Sequence, residues 1–353
     1  MFNGQKLKIS LFGESHGKCV GVSIEGLKSG LKIDEDRIDA FMQRRRSVNK
    51  LSTPRQEKDI PQIISGVFNG YTTGGTLTAV IYNEDTKSRD YNSSVVRPSH
   101  SDYTANGRYD GFNDYRGGGM FSGRLTAPIV FVGALCDMLL EEYGIKTYTH
   151  VLSVYDVKDD EFDKVCEDEN KLNRLKTMPI PLLNEEKAKD VENAIMEAKE
   201  DGDSVGGQLE CMVLNMKPFV GDNYFGRLQS KIASLVFSIP AFVSMELGLG
   251  LGMINKKGSE VNDELYYDEN GNVKTRTNNS GGINGGITNG MPIVVKVGVK
   301  PTPSISKTQN TINIDTKENV EFGVVGRHDP CIAIRAAVVL ESVMNIAILD
   351  SIL

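Results

Sequence analysis

RGGGMFSGRLTAPIVFVGALCDMLLEE, residues 116–142, joins two opposite kinds of sequence. Its second half predicts a helix over 126–142, with Thr126 as cap, Pro128 in the first turn and Gly144 just beyond the end. Apolar residues fill nearly every turn, so no broad face is left for water and the helix must be covered on most sides. The first half has three consecutive glycines, with Arg116 before them and Ser122-Gly123-Arg124 after. Backbone N–H groups beside guanidiniums, at the entrance to a helix, suit an anion. A flexible glycine turn is the alternative reading of a bare triple glycine.

Other helices are expected on both sides of this stretch. Residues 34–46 carry Asp34 as cap, Ile38, Phe41 and Met42 on one face, and Arg44, Arg45 and Arg46 at the end. Residues 184–201 read as an amphipathic helix stopped by Gly202, and 225–238 as one stopped by Pro240 with Leu228, Ile232, Leu235 and Val236 inward. In the last helix, Asp329-Pro330 supplies an N-cap and a first-turn proline, and an apolar stripe runs from Ala336 to Ala347. Strand-like runs lie at 8–12, 20–25, 77–82, 208–215 and 292–300. Strands and helices mix without βαβ alternation, repeat period or low-complexity linker. The expected fold class is therefore α+β, a single compact domain over residues 1–353, with 156–201 as a peripheral acidic helical insertion.

A chain of 353 residues is ample for a buried core, which excludes small disulfide scaffolds, and 39% apolar with 25% charged residues excludes disorder. The net charge of −7 is unevenly spread. Residues 1–124 hold 10 of the 15 arginines and 18 basic against 14 acidic residues, while 125–353 hold 22 against 33. Such asymmetry fits a small polyanionic ligand in the first third better than a nucleic-acid duplex, which needs a broad basic face. Five scattered cysteines without a Cys-x-x-Cys pair suggest neither a disulfide framework nor a metal site, so a reducing cytoplasm is expected. The longest apolar run, 127–136, is far short of the roughly 20 residues of a spanning helix, and no signal region is read at the start, so no membrane role is expected.

Two of the four histidines sit in small polar settings, His16 in Gly13-Glu14-Ser15-His16-Gly17 and His100 in Arg97-Pro98-Ser99-His100-Ser101-Asp102. Both are candidates for ligand contact, or else loop histidines with a local hydrogen bond. The glycine-rich run 280–290 allows close backbone approach to something flat or bulky, and Lys300-Pro301-Thr302-Pro303-Ser304 offers an ammonium and two hydroxyls for a cofactor phosphate. Neither matches a Walker loop or a Rossmann fingerprint. In Arg327-His328-Asp329-Pro330-Cys331, Asp329 reads as a helix cap, with Arg327 beside a helix N-terminus where an anion is stabilised.

Taken together, these segments resemble the chorismate synthase family over essentially the whole chain. The match rests on Gly13-Glu14-Ser15-His16-Gly17, on Arg116-Gly117-Gly118-Gly119 through Thr126, and on Arg327-His328-Asp329-Pro330-Cys331 through Ser342. Further family-like segments are Ser52-Thr53-Pro54-Arg55, Arg97 through Thr104, Gly281 through Ile287, and Lys300-Pro301-Thr302. The resemblance implies helices sandwiched between antiparallel sheets, a homotetramer, and conversion of 5-enolpyruvylshikimate 3-phosphate to chorismate by anti-1,4-elimination, dependent on reduced FMN. It also associates the reaction with NADP. No flavin reductase module is expected in a chain of this length, so an external flavin reductase or other reduced-flavin supply is implied.

By the same resemblance His16 protonates the departing phosphate, a cationic His100 stabilises reduced flavin, and Asp329 helps remove the C6 proton of the substrate. Substrate contacts fall to Arg45, Lys50, Arg55, Arg124 and Arg327, and flavin contacts to Met120, Phe121, Ser122, Pro240, Ala241 and Gly285. Lys300, Pro301, Thr302, Pro303, Ser304 and again Arg327 complete the flavin set. Met120 and Phe121 stand where the family usually has arginine and serine, Leu125 where it has glutamate, and Lys50 where it has arginine. Joint loss of one charge of each sign suggests an exchanged ion pair, with Met120 and Phe121 packing on flavin or a neighbouring subunit. Two other function classes are a flavin- or phosphate-binding protein without turnover, against which the retained His16, His100, Arg327 and Asp329 argue, and a nucleic-acid binder. The acidic total, and the lack of aromatic residues interleaved with Arg44 to Arg46, weigh against the latter.

Overall fold

Strand Leu77–Tyr82 buries Leu77, Ala79 and Ile81 and leaves the intervening residues part-exposed, the period-two pattern of a sheet with one face on a core. The computed structural model describes residues 1–46, 51–53, 55, 57–86, 91–324 and 329–353. Leu77–Tyr82 belongs to a five-stranded antiparallel sheet in the spatial order Phe2–Asn3, Lys8–Gly13, Cys19–Glu25, Leu77–Tyr82, Gln62–Ser65. A second five-stranded antiparallel sheet runs Phe242–Leu247, Ile293–Val299, Gly207–Leu214, Lys146–Val154, Val157–Lys158.

Helices fill the space between the sheets. Thr126–Glu141 touches the first sheet through Cys19–Glu25, and Ala333–Ile352 touches the second through Lys146–Val154 and Gly207–Leu214. The two helices pack on each other. Their approach is close at Gly133, where an added Cβ would stand 2.2 Å from Cβ of Ser342. Phe131, Leu135 and Leu139 are fully buried in this layer, each contributing about 1.5–3 kcal/mol. The stretch Arg116–Glu141 has the length and apolarity of a membrane span, but 83% of its most apolar window is buried inside the protein. The fold is α+β, with helices between antiparallel sheets, as expected.

The central strands of the second sheet, Ile293–Val299, Gly207–Leu214 and Lys146–Val154, are buried on both faces. Tyr148, Met212 and Val294 pack outward against Phe162, Leu172 and Leu175, so part of the acidic stretch 156–201 covers the face turned away from the helices.

Several expected elements shift. The central helix is capped by the Leu125 position rather than Thr126, whose Oγ1 donates to the Gly123 carbonyl (2.6 Å) and accepts from Arg45 Nε (2.9 Å). The expected helix over 225–238 begins at Leu228, after a short 3₁₀ turn Tyr224–Gly226. The last helix starts at Ala333, so Asp329 is not its cap and Pro330 lies before its first turn. Near the other end of that helix, buried Asp350 accepts the backbone N–H groups of Gln5 (3.0 Å), Lys6 (2.8 Å) and Leu7 (2.8 Å) and pairs with Lys231 Nζ (2.6 Å). Burial alone would raise its carboxyl, but these partners hold it below the usual carboxylate range.

Candidate active site

The loop carrying His16 is fixed from several sides. Ser15 N–H donates to Gly119 O (3.1 Å), Asn83 Nδ2 donates to Glu14 O (3.0 Å) and Gly17 O (2.9 Å), and Arg55 donates to Ser15 Oγ and O (3.0 Å each). These bonds press the loop onto the triple glycine. Gly117 (φ 60°) and Gly118 (φ 83°) adopt the left-handed region, and both must lack a side chain. A Cβ on Gly117 would fall 2.3 Å from His16 Cε1, and one on Gly118 would fall 3.2 Å from His100 Cε1. Two successive glycines thus seat the two imidazoles at one place. The chemistry read in the glycines as anion binding is accompanied by this steric role.

Both imidazoles line a cavity of about 680 Å³. Among the described residues its wall carries seven arginines and lysines (Arg45, Arg46, Arg55, Arg97, Arg124, Lys300, Arg335) against three carboxylates (Glu57, Asp59, Asp329). Asp59 is the anchor of this surplus. Its carboxylate, almost fully buried, receives Arg45 Nη1 (2.6 Å) on one oxygen and Arg124 Nη1 on the other. Arg124 Nε also donates to Asn83 Oδ1 (2.8 Å). Burial, with Arg335 and Arg124 adding repulsion, brings Arg45 down to about 9, although Asp59 counters it. Arg45 also gives Nη2 to the Gly123 carbonyl (3.1 Å), so its donors are engaged by protein oxygens along the cavity wall.

His16 is pushed below the ordinary imidazole value by burial and then by Arg55, and its Nδ1 is buried without a hydrogen-bond partner among the described residues. Tyr91 meets its ring edge-on at 5.1 Å. Burial also lowers His100. Asp329 moves the other way: burial pushes its carboxyl up against the pull of Arg335. Arg335 Nη1 donates to Asp329 Oδ2 (2.8 Å) and its Nε to the Arg45 carbonyl (2.9 Å), while Asp329 Oδ1 is buried with no hydrogen-bond partner among the described residues. The carboxylate expected to cap a helix therefore faces the cavity.

An apolar strip completes the wall. Met120 and Phe121, each 38% exposed, line it together with Pro240 and Ala241, and Phe121 leans on Tyr109 with ring centroids 6.2 Å apart. Ser122, Thr302, Pro303 and Ser304 line it too, and Lys300 Nζ is held by the Ser99 carbonyl at 2.8 Å. Two expected residues lie elsewhere. Gly285 is exposed in the hairpin between Ile283–Asn284 and Ile287–Thr288, and Pro301 is exposed and does not reach the cavity. Gly286 of that hairpin accommodates the protein's own chain, since a Cβ there would stand 2.3 Å from the Asp222 carbonyl oxygen, whereas a Cβ on Gly285 would meet nothing within 4 Å. Lys50 and Arg327 lie outside the described residues. Sequence reasoning missed Asp59 and Arg335.

A family model described as chorismate synthase matches residues 7–353. A chorismate synthase of Pyrococcus abyssi is 41% identical over 356 residues, covering 99% of this chain and 97% of the relative. One from Thermococcus gammatolerans is 39% identical over 353 residues, covering 99% and 97%. A crystal structure of chorismate synthase superposes with a TM-score of 0.79 at 29% identity, covering 99% of this chain and 92% of that one.

Proposed function

The chain belongs to the chorismate synthase family, and from that premise we propose that its cavity takes 5-enolpyruvylshikimate 3-phosphate, with reduced FMN beside it, to chorismate and phosphate. Its class is that of a lyase of the shikimate pathway. The observation that carries the reading is the cationic surplus of the cavity, seven arginines and lysines to three carboxylates, around His16, His100 and Asp329. A substrate with one phosphate and two carboxylates, and a cofactor with another phosphate, would meet that surplus with charge-assisted hydrogen bonds.

The residues present suit the flavin. A cavity of about 680 Å³ lies within the roughly 300–1,000 Å³ of small-ligand sites, and the strip from Met120 and Phe121 to Pro240 and Ala241 offers a flat apolar surface. His16 Nδ1, Thr302 Oγ1 and Asp329 Oδ1 are buried cavity atoms without partners among the described residues, a pattern that ligand polar groups complete. Reduced FMN bound there would supply electron density to a reaction that has no net redox change. Met120, Phe121, Ser122, Pro240 and Ala241 would hold it, with Lys300, Thr302, Pro303 and Ser304.

Asp329 Oδ1 takes the C6 proton, a role suited to a carboxyl whose affinity for protons burial has increased. His16 gives a proton to the departing phosphate. Its lowered proton affinity belongs to the ligand-free cavity, and a phosphate dianion alongside would raise it by direct charge attraction. Arg55 and Arg124 orient the substrate anions, with Arg45 and Asp59 behind them. We place the enzyme in the cytoplasm as a homotetramer supplied with reduced flavin by a separate reductase. The test is anaerobic phosphate release and chorismate absorbance from 5-enolpyruvylshikimate 3-phosphate. Turnover with chemically reduced FMN and none with oxidised FMN is expected; no turnover with reduced FMN, despite a flavin spectral change on substrate addition, would leave a binding protein.

A further inference from the structure

His100 Nδ1 lies 2.7 Å from Asp102 Oδ1, and Asp102 is itself gripped by Arg97. Arg97 Nε (2.7 Å) and backbone N–H (3.1 Å) donate to Oδ2, and Nη2 donates to Oδ1 (2.8 Å). The remaining guanidinium nitrogen, Nη1, donates to Ser304 Oγ (3.0 Å) at the cavity wall. Burial alone would raise the Asp102 carboxyl, yet Arg97 and His100 together hold it well below the usual carboxylate range. Asp102 is therefore charged throughout the physiological range and can only accept. A nitrogen 2.7 Å from such an oxygen carries a proton, because two lone pairs at that distance repel.

We propose that Asp102 is a positioning residue for His100, holding the neutral imidazole as its Nδ1–H tautomer so that Nε2 is the nitrogen that takes up a proton when an anionic ligand enters the cavity. The inference rests on the reading above that His100 faces the reduced flavin. His100 borders the cavity, and its Nε2 lies on the side of Gly118, 3.4 Å from where a Cβ there would stand. The groups facing the ring are Asp102 on its own short helix, Arg97 before it, and Lys300 across the cavity wall. Burial lowers the proton affinity of His100, Asp102 restores some of it, and Arg97 and Lys300 subtract again, so the empty site favours the neutral ring. An incoming anion offsets Arg97 and Lys300 and tips the balance towards the imidazolium. A carboxylate that fixes one imidazole tautomer is a recurrent device in acid–base sites.

Asp102→Asn makes a sharp test. Arg97 gives two donors to Oδ2 and one to Oδ1, so the amide oxygen is favoured at Oδ2, and the amide NH₂ then faces His100 Nδ1 and gives up the bond from Arg97 Nη2. The donor–acceptor sense at Nδ1 inverts and the ring is driven to the Nε2–H form. Nitrogen-15 histidine NMR of the ligand-free protein at about pH 8.5, above the ordinary imidazole value of about 6.5, reads the tautomer directly. The expected result is Nδ1–H in the wild type, Nε2–H in Asp102→Asn and return to Nδ1–H in Asp102→Glu. A wild-type Nε2–H ring, or Asp102→Asn retaining Nδ1–H while the His16 signals and the melting temperature are unchanged, would overturn the proposal. In turnover, Asp102→Asn should cost about 10²-fold in kcat with little change in KM, and should cost nothing further in a His100→Ala background. Additive losses in that cycle would also overturn it. The tautomer is measured without flavin or substrate, so a failure of the proposed reaction would show separately, as absence of chorismate formation by the wild type.

Discussion

Buried charge collects in two places in this protein, and the two are built differently. Beside the second sheet, His150 is fully buried with Nδ1 3.1 Å from Asp159 Oδ2 and Nε2 3.2 Å from Glu210 Oε2. Asp159 also accepts from Leu183 N–H (2.6 Å) and Asn184 N–H (3.0 Å), and Glu210 from Phe162 N–H (2.8 Å). Glu161 joins through Lys296 (2.7 Å) and Lys164 (2.9 Å). With His150 protonated, three carboxylates meet three cations, and Glu210 Oε1, which lacks a hydrogen bond among the described residues, lies 3.9 Å from Lys296 Nζ. In the cavity the cations outnumber the carboxylates and buried polar atoms of His16, Thr302 and Asp329 lack partners among the described residues. Balanced charge marks a cluster that holds segments together; a surplus of one sign, lining a cavity, marks charge arranged for a ligand.

The largest effect that would sharpen this contrast is on turnover. His16→Ala should cost on the order of 10²–10⁴ in rate while FMN still binds and stability barely moves, as read by anaerobic phosphate release, flavin titration and melting temperature. His150→Gln should do the reverse, and a variant pair with these outcomes exchanged would break the distinction. Next in size, Asp59→Ala strands two buried guanidiniums and should destabilise the fold by about 3–5 kcal/mol, seen as a lower denaturant midpoint at unchanged slope. A loss below about 1 kcal/mol would mean the cationic wall needs no anchor.

Ligand linkage comes third. At about 100 times its Kd, 5-enolpyruvylshikimate 3-phosphate without flavin should stabilise the protein by about 2.7 kcal/mol, an effect that added salt weakens because its source is charge. Equal stabilisation after the cavity arginines Arg55 and Arg124 are replaced together would remove the surplus from the argument. The smallest effect is on pH dependence. Burial lowers the proton affinity of His150, but Asp159 and Glu210 more than restore it, so its folded pKa exceeds the unfolded one. Its contribution is then full below about pH 6.5 and is lost as pH rises through the folded value. The stability difference between wild type and His150→Gln, about 1–3 kcal/mol at acidic pH, should shrink in alkali; growth with pH would contradict the assignment.

Much of the architecture was legible because local rules agree with it. Asp34 caps the helix Glu35–Arg45 through the Arg37 N–H, and the face of Ile38, Phe41 and Met42 is buried as its spacing requires. The strand Lys146–Val154 was not, because Thr147, Thr149 and His150 look like surface residues, yet all three are fully buried, His150 between Asp159 and Glu210. At the site, short motifs announced the histidines, but nothing near Asp59 announces that Arg45 and Arg124 will converge on it. Asp329-Pro330 carried a valid helix-start signal and still misled about the cap. Arg335, within the helix itself, pairs with that carboxylate. Pairings such as those of Arg45 and Arg124 with Asp59 are set by the tertiary fold, and local sequence holds no trace of them.

The grip of Asp350 on Gln5, Lys6 and Leu7 has a consequence for synthesis. Those three N–H groups and their acceptor are 343 to 345 residues apart, so the chain's first segment emerges from the ribosome long before the carboxylate that satisfies it. At roughly 5–20 residues per second the wait is on the order of 20–70 seconds. The edge of the first sheet, where Phe2–Asn3 pairs with Lys8–Gly13, is unsecured throughout that wait, the interval in which a chaperone has most to protect.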